Sequence, residues 1–369
     1  MAKSLASAQK VAVFLGAGAS KPFGGMLTGE ILPEMLTALR AGQLFGKGSP
    51  LHKELKDLLD GICPDLGSTR APPLDITELL TLVDYFTSAR RSVWHGLSLE
   101  RLARLRVLIG LGICNLLYDP KPVDPRTCSL VQPWMAWLEA VVRASWSAVD
   151  IAIITTNYDR IVDKMLWDCL GHDEIDGVDF GLDWFRADAG IDERIVRIPA
   201  RPRVRNYKLH GSLDMVACRE CERVYISSED NYLVPLMRRS RISECHCGNH
   251  PLEHVMVAPS HARVGPFPRI REVWRRAGDF LRKAEGWIIV GYSMPPEDLL
   301  VKDLLLTSLR RSEVSGGPRI DVVQGKRTAS GDRFDFYLGA SASLRTYYGG
   351  LEAYVGKRGS LFSSLRDSM

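Results

Sequence analysis

The stretch from Val11 to Ser20, VAVFLGAGAS, decides the expected fold. Its first five residues are apolar, which is typical of a short β-strand buried on both faces. A Gly-x-Gly turn follows, and glycines let a backbone bend tightly and come close to a bound phosphate. The complete dinucleotide fingerprint needs a third glycine where Lys21 stands, so a plain strand-to-helix turn is the alternative. The candidate ligand-binding residues of this turn are Gly16, Ala17, Gly18 and Ser20.

The same alternation of apolar strands and helices continues after residue 148. Further strands are expected at Ile151–Ile154, Val204–Leu209, Trp287–Val290 and Ile320–Val323. Helical spacing of apolar residues is found at Thr28–Leu39, Arg160–Leu170 and Glu297–Arg310. This order predicts an α/β fold with a Rossmann-like parallel sheet, in which ligands bind at the carboxyl ends of the strands.

A helical insertion is predicted between the first strand and the second. Residues 42–148 contain helix-like apolar spacing at Leu74–Arg90, Leu99–Tyr118 and Leu130–Trp146. The Rossmann-like domain is therefore expected to comprise residues 1–41 and 149–369, interrupted by this insertion.

The composition limits the classes of protein that remain. A chain of 369 residues suits one large domain with an insertion, or two domains. The net charge of +4 is small for this length and gives no reason to expect direct nucleic-acid binding. No apolar run reaches the roughly twenty residues of a membrane span. The apolar stretch near the N-terminus is better explained by a buried strand than by a signal peptide, so we expect a cytoplasmic location and no membrane partner.

Polar residues follow the second expected strand in the sequence TTNYD, residues 155–159. The amide of Asn157 can donate and accept hydrogen bonds together, which suits the orientation of a water or a ribose hydroxyl. The alternative is structural, because either Asn157 or Asp159 could cap the helix that begins near Arg160.

A histidine follows the third expected strand in the sequence KLHGS, residues 208–212. Histidine titrates near neutrality, so His210 is a candidate general base. A lone histidine is more often structural, and it is the neighbouring motifs that favour the catalytic interpretation.

Two close pairs of cysteines come next. Four thiolates can hold a tetrahedral zinc ion, and sites made of cysteine alone are structural. Thiols stay reduced in the cytoplasm, which favours a metal over disulfides. A small zinc-ribbon module is thus predicted at residues 214–255, with His246, His250 or His254 able to replace one ligand; a ribbon that has lost its metal is the alternative. The expected ligands are Cys218, Cys221, Cys245 and Cys247.

In this order, the motifs resemble those of the sirtuin family. The opening Gly-Ala-Gly-x-Ser, the TTNYD element and a cysteine pair eight residues after the His-Gly pair carry the likeness. The resemblance implies a Rossmann-like fold that binds NAD and cleaves its nicotinamide–ribose bond. It also implies that Asn157 and His210 are catalytic and that zinc is structural.

The resemblance implies further contacts with NAD. Asp159 would fix the nicotinamide carboxamide, the Gly-Tyr-Ser turn would lie against the phosphates and ribose, and Gln324 would lie near the adenosine. The implied contacts outside the first glycine turn are Thr156, Asp159, Gly291, Tyr292, Ser293 and Gln324.

Three features distinguish the chain from sirtuin deacylases. The Asp-Phe-Arg element is absent after Gly24, and the strand ending Phe-Gly-Glu is replaced by a stretch that contains Pro259, which lacks an N–H for pairing with a peptide. The sequence GYSMPPED, residues 291–298, resembles the divergent bacterial branch that includes NAD-hydrolysing effectors of antiphage defence.

We therefore expect hydrolysis of NAD to nicotinamide and ADP-ribose in antiphage defence. The alternatives are an NAD-dependent lysine deacylase and a sensor that binds NAD or ADP-ribose without turnover. Because free NAD hydrolysis would harm the host, we also expect control by homo-oligomerisation, a ligand or a partner protein.

Overall fold

The structure is a computed structural model. It describes residues 9–46, 48–62, 74–88, 97–118, 149–186, 195–226, 244, 245, 247, 248, 250–257, 268–296, 298–326, 329–339, 343–361 and 363. The helix expected at Leu130–Trp146 lies outside these residues, as does Pro259.

Within the described residues, thirteen strands form two sheets. In chain order they are β1 (Gln9–Leu15), β2 (Val149–Thr155), β3 (Val178–Asp179), β4 (Trp184–Arg186), β5 (Ile195–Val196), β6 (Val204–Lys208), β7 (Gly211–Cys218), β8 (Val224–Ile226), β9 (Glu244–Cys245), β10 (His250–Met256), β11 (Gly286–Val290), β12 (Arg319–Gln324) and β13 (Ser343–Tyr348).

The main sheet has seven strands in the order β13-β12-β11-β1-β2-β6-β3, and every pairing in it is parallel. The expected α/β fold with a Rossmann-like parallel sheet is thereby confirmed. Its central strands are buried along their length, which explains why they read as continuous apolar runs. The chain leaves β1 toward β2 and later returns to β11 on the other side, so a topological switch point lies between β1 and β11.

The α-helices are, in chain order, α1 (Ala17–Ser20), α2 (Thr28–Arg40), α3 (Pro50–Ile62), α4 (Ile76–Ser88), α5 (Leu99–Tyr118), α6 (Ile161–Glu174), α7 (Pro268–Lys283), α8 (Leu299–Arg310), α9 (Ala329–Leu338) and α10 (Gly350–Val355). Short 3-10 helices lie at Lys21–Phe23 and Ile175–Gly177. Within the described ranges, none of the helices has the length and apolarity needed to cross a bilayer.

Helices α2 to α5 share a hydrophobic core of their own. That core includes Leu32 and Met35 from α2, although the sequence assigned α2 to the Rossmann-like domain. It touches the rest of the protein through Met256 of β10, whose sulfur lies 3.9 Å from the sulfur of Cys114 in α5. The boundary at residue 41 stays a prediction.

The second sheet has six strands in the order β5-β4-β8-β7-β10-β9. Strand β7 is fully buried: Met215 and Ala217 pack into the core of the main sheet, while Val216 and Cys218 face a smaller cluster that includes Cys114 and Tyr158. The region predicted as a zinc-ribbon module is therefore packed between two layers and extends to strands before residue 214.

Candidate functional site

The motifs singled out in the sequence meet at one edge of the main sheet. Gly16 follows β1, the turn of residues 156–160 follows β2, His210 follows β6, and Gly291 follows β11. Because all these strands are parallel, their carboxyl ends lie at the same edge. The fold therefore brings together chemistry that is dispersed along the sequence.

The glycine turns after β1 and β11 are in direct main-chain contact. Gly16 N–H donates to the carbonyl of Val290 and Gly18 N–H donates to that of Gly291, both at 2.9 Å. A Cβ on Gly16 would lie 2.5 Å from Tyr292 Cα, and one on Gly291 would lie 2.2 Å from Ala19 N. Gly291 also has φ of +62°, which disfavours other residues. The glycines are thus required by the crossing of the two turns at the switch point.

The first glycine turn leads into a single helical turn before the long helix begins. Helix α1 has four residues, and the long helix α2 begins only at Thr28. The helix expected at Thr28–Leu39 is confirmed as α2, and only the single turn α1, which has little dipole, follows Gly16 directly. The main-chain N–H groups of Gly16, Gly18 and Ala19 already donate to carbonyl groups within the protein.

The turn after β2 is anchored to the end of β1. Thr155 Oγ1 donates to the carbonyl of Leu15 at 3.0 Å and accepts from Asn157 N–H at 3.0 Å. Asn157 Nδ2 donates to the carbonyl of Gly16 and to Ser20 Oγ, both at 2.9 Å. Only the amide nitrogen can face the carbonyl of Gly16, so the orientation of the Asn157 side chain is determined by its partners.

Asp159 has a capping role as well as a link to the glycine turn. Its Oδ1 accepts from Ile161 N–H at 3.1 Å at the start of α6, and its Oδ2 accepts from the Ser20 hydroxyl at 2.5 Å. The capping alternative considered for this residue is thus observed for Asp159 and not for Asn157. A contact of Asp159 with the nicotinamide carboxamide stays a prediction, and it would compete with these two hydrogen bonds.

A small cavity of about 20 Å³, partly open to solvent, lies beside these residues. Apolar side chains from β1 and α6 form much of its wall. Its polar lining consists of Ser20, Thr155, Asn157, Asp159 and Lys208. A cavity of this volume has room for about one water molecule, next to a few convergent polar groups.

His210 is buried next to this turn, with 4% of its surface exposed. Its ring lies between aromatic rings, with centroids 6.0 Å from Tyr158 and 6.0 Å from Trp274 of α7. The carbonyl of Leu209 accepts from Trp274 Nε1 at 2.7 Å, and Leu209 N–H donates to the carbonyl of Thr155 at 2.9 Å. These contacts hold His210 at the same sheet edge as Asn157.

The residue after the histidine has to be glycine. Gly211 has φ of +77°, and a Cβ there would lie 1.8 Å from the carbonyl oxygen of Val255. The next segment of β10 is tied to the histidine: Val257 N–H donates to the His210 carbonyl at 2.8 Å, and the Val257 carbonyl accepts from the Tyr158 hydroxyl at 2.6 Å. Both main-chain groups of Val257 therefore have partners inside the protein.

Two residues expected to contact NAD are committed to the interior. The Tyr292 hydroxyl donates to Asp298 at 2.9 Å, and the ring packs 5.0 Å from that of Phe14. Gln324 Nε2 donates to the carbonyl of Tyr292 at 2.8 Å. NAD contacts by Tyr292 and Gln324 stay predictions, and this geometry restricts them to main-chain atoms or a changed side-chain position.

The remaining predicted contacts lie at the surface of the same edge. Ser293 is exposed, Ala17 and Gly18 are half-buried, and Thr156 is half-buried with its N–H donating to the carbonyl of Leu15 at 3.2 Å. Met294, which follows Ser293, is buried with φ of +50°, an uncommon conformation for a residue with a side chain. The turn after β11 is therefore held in a strained conformation next to the glycine contact.

The four expected metal ligands come together. The sulfur atoms of Cys218, Cys221, Cys245 and Cys247 all lie within 4.8 Å of one another. Cys218 and Cys247 are 3.6 Å apart, and Cys221 and Cys245 are 3.5 Å apart, spacings that suit four thiolates around one zinc ion. His254 is not among the grouped ligand atoms. Burial lowers its pKa to about 4, and its two ring nitrogens have no hydrogen-bond partner in the described part of the chain.

The sequence did not identify the charged residues beneath the site. Lys208, with 1% of its side chain exposed, donates to the carbonyl of Asp159 at 2.5 Å and is paired with Asp163. Arg160 is paired with the buried Asp214. Burial raises the pKa of Asp214 to about 7, in spite of the opposing charge of Arg160. A lysine within a buried strand was the available signal, because an isolated buried ammonium group would be too costly without a partner.

No family model matches the chain, and no curated protein matches it. Among solved structures, the chain is similar to Sir2Tm bound to a propionylated peptide, at 17% identity over 91% of this chain and 86% of that chain, with a TM-score of 0.34. It is also similar to Sir2 bound to acetylated peptide, at 15% identity over 93% and 88% of the two chains, with a TM-score of 0.39. A Sir2–p53 peptide–NAD+ structure gives 15% identity, the same coverage and a TM-score of 0.38. These structures are of the family that the motifs resemble, but the likeness is too distant to carry an argument about activity.

Proposed function

We propose that the protein hydrolyses NAD to nicotinamide and ADP-ribose. The observation that carries the proposal is the junction of the two motif-bearing turns: Asn157 is hydrogen-bonded to Gly16 and Ser20 at the rim of the cavity, beside the buried His210. In this proposal Asn157 positions the attacking water, and His210 activates it or a ribose hydroxyl as general base.

The hydrogen bonds of Asn157 support its role. Its amide nitrogen donates two hydrogen bonds, whereas its carbonyl oxygen accepts none from the described residues. An oxygen held in place by a fixed amide group can accept a hydrogen bond from a water or a ribose hydroxyl. Because small errors of position cost much rate in such reactions, the fixed orientation suits catalysis.

The contacts of Val257 favour hydrolysis over deacylation of a peptide. A peptide that adds to a sheet as a strand needs free main-chain N–H and carbonyl groups. At Val257, next to His210, the N–H and the carbonyl are already used by His210 and Tyr158. Val257 therefore has no main-chain group left to pair with an added peptide strand, whereas an attacking water needs none.

The test is to incubate the purified chain with NAD, with and without an acetylated peptide, and to separate the products by chromatography. We expect nicotinamide and ADP-ribose in equal amounts with or without peptide, at a low basal rate until the chain is activated. His210→Ala and Asn157→Ala should each lower turnover by about 100- to 10,000-fold, since general acid–base groups contribute on that scale.

His52→Ala, in the helical unit, is the matched control and should keep full turnover. Turnover that requires the peptide would establish a deacylase. Affinity for NAD without any product would point to a sensor. Full turnover in both site variants would refute the assignment of the catalytic residues.

We also propose that the four cysteines hold a structural zinc ion. The purified chain should contain one zinc per molecule by elemental analysis, and Cys218→Ser should lose it because the closed site needs all four ligands. Cys114→Ser is the control, since Cys114 is buried in the neighbouring cluster but is not one of the four cysteines. Equal zinc content in the two variants would contradict the proposal.

Control of the activity is part of the same proposal. An NAD hydrolase without restraint would deplete its host, so we propose that it acts as a gated effector of antiphage defence in the bacterial cytoplasm, released by homo-oligomerisation, a ligand or a partner protein. A monomer that turns over NAD at full rate with nothing added, measured by light scattering alongside the assay, would contradict this gating.

A further inference from the structure

Two segments carry the proposed catalytic groups: residues 155–163 contain Asn157, and residues 208–214 contain His210. Buried ion pairs cross between these segments in both directions. We propose that these pairs form a clamp whose role is to fix Asn157 relative to His210, and that its members are positioning residues. The inference rests on the proposed function for its kinetic part, while its structural part stands independently.

The first pair joins the strand before the histidine to the helix after the asparagine. Lys208 is paired with Asp163 and also donates to the carbonyl of Asp159 at 2.5 Å. The other carboxylate oxygen of Asp163 accepts from Asn206 Nδ2 at 2.9 Å. The ammonium group thus contacts both the turn, at Asp159, and the first turn of helix α6, at Asp163.

The second pair crosses in the opposite sense. Arg160 belongs to the turn after Asn157, and its partner Asp214 lies four residues beyond His210, on β7. Asp214 is 2% exposed, so the pair is shielded from water and from salt. Each segment therefore contributes one cation and one anion to the clamp.

Main-chain hydrogen bonds complete the joint between the pairs. Leu209 N–H donates to the carbonyl of Thr155 at 2.9 Å, and Leu213 N–H donates to that of Tyr158 at 3.0 Å. These bonds lie on either side of His210 in sequence. The segments are held by two ion pairs and three hydrogen bonds, and the two catalytic candidates lie between these contacts.

The position of the clamp favours a role in geometry over one in stability alone. Buried ion pairs are weak contributors to stability, because the loss of hydration offsets the attraction of the charges. Their attested value is in selecting one arrangement of the chain. Here the cluster lies beside the cavity, with Lys208 in its lining, and the polar chain Lys208–Asp159–Ser20–Asn157 leads from it to the proposed water-binding amide.

The test compares Asp163→Asn and Asp214→Asn with Asp321→Asn. Asp321 is a matched control, because it is fully buried and hydrogen-bonded to Tyr354 and Leu361 on the far side of the sheet. Asparagine keeps the shape of aspartate and avoids leaving a large void. Folding of each variant is verified by its thermal transition, and the backbone amides of residues 156–161 are followed by hydrogen exchange.

We expect the two clamp variants to exchange these amides about tenfold faster or more, because opening of the turn no longer breaks an ion pair. Their kcat for NAD should fall about 10- to 100-fold with KM nearly unchanged, as displacement of a catalytic group predicts. Asp321→Asn should change neither quantity, even where it lowers the melting temperature.

The outcomes separate this inference from the proposed function. If the clamp variants exchange faster but the chain produces no nicotinamide, the clamp is supported and the proposed hydrolase function is refuted. If the chain is active and the clamp variants keep the wild-type kcat and rate of amide hydrogen exchange, the clamp is refuted and the hydrolase function stands. Equal effects of Asp321→Asn and the clamp variants on kcat per folded molecule would also overturn the clamp.

Discussion

The two sides of the central strand β1 have opposite characters at the same sheet edge. On the side of β2 and β6, the strand ends carry Asn157, Asp159 and His210 above buried ion pairs. On the side of β11 and β12, the ends carry a close glycine contact, and the polar groups of Tyr292 and Gln324 are bonded within the protein. The first side presents polar side chains to the edge, while the second side contributes mainly the packing of its main chain.

This difference separates residues whose side chains are available to a ligand from residues that are required for packing. A motif such as Gly-Tyr-Ser suggests three ligand contacts when it is read as a string. In the structure its glycine is needed for main-chain packing, its tyrosine is part of the core, and only Ser293 is exposed. Substitutions on the two sides of β1 should therefore have different consequences.

The largest effect on stability is expected for Gly291→Ala. The added Cβ would lie 2.2 Å from Ala19 N, and the residue has φ of +62°. Overpacking and backbone strain together should lower the free energy of unfolding by about 3 kcal/mol or more. Denaturant unfolding of the purified variant measures this change.

Gly316→Ala is the control for that substitution. Its φ is +77°, but a Cβ there would meet nothing within 4 Å, so only the conformational cost of about 1–2 kcal/mol applies. Equal losses in the two variants would mean that the close contact between the turns does not exist, and the comparison of the two sides would break.

A smaller effect is expected from the titration of Asp214, which is faced by Arg160, Asp163 and Lys208. Because its folded-state pKa of about 7 is above the unfolded value, the native state binds the proton more tightly. Its contribution to stability therefore rises as the pH falls through 7. Between pH 8 and pH 6 the wild type should gain about 1 kcal/mol of stability relative to Asp214→Asn.

Thermal or denaturant unfolding at the two pH values gives this difference directly. Other titrating groups are present in both proteins and cancel. Turnover should move in the opposite direction, since protonation of Asp214 removes the charge that holds Arg160. A wild type and variant with parallel stability profiles would show that Arg160 keeps Asp214 ionised throughout this range.

The smallest effect is expected for Tyr292→Phe. The variant loses the hydrogen bond to Asp298, which should lower the free energy of unfolding by about 1 kcal/mol. The KM for NAD should stay at the wild-type value, because the hydroxyl lies within the core. A tenfold rise in KM, measured by steady-state kinetics, would show that the Tyr292 hydroxyl contacts NAD. The side of β11 would then also contribute functional groups to the site.

Much of the fold could be predicted because the central strands are buried on both faces. Continuous apolar runs marked β1, β2, β11 and β12 to within two residues, and helix α5 was predicted at its observed bounds. The edge strand β13 alternates exposed and half-buried residues, SLRTYY, and gave no such signal. The extent of the second sheet was also missed, because β4 and β5 contain only three and two residues.

The candidate site was predictable in its composition but less so in its contacts. The order of motifs indicated which residues gather at the sheet edge, since parallel strands end together. Their hydrogen bonds join residues far apart in sequence, such as Asn157 with Ser20 and Asp163 with Lys208. Spacing along a chain contains no information on such pairs, so the capping role of Asp159 and the crossed ion pairs required the structure.

The contact between Gly18 and Gly291 affects how a ligand binds at this edge. Two turns whose main chains touch cannot rearrange separately, so this part of the edge has one conformation before any ligand arrives. The entropy of ordering these turns is lost when the chain folds and not when it binds. This part of the edge is therefore preorganised, and its selectivity should depend on which molecules are complementary to its one conformation.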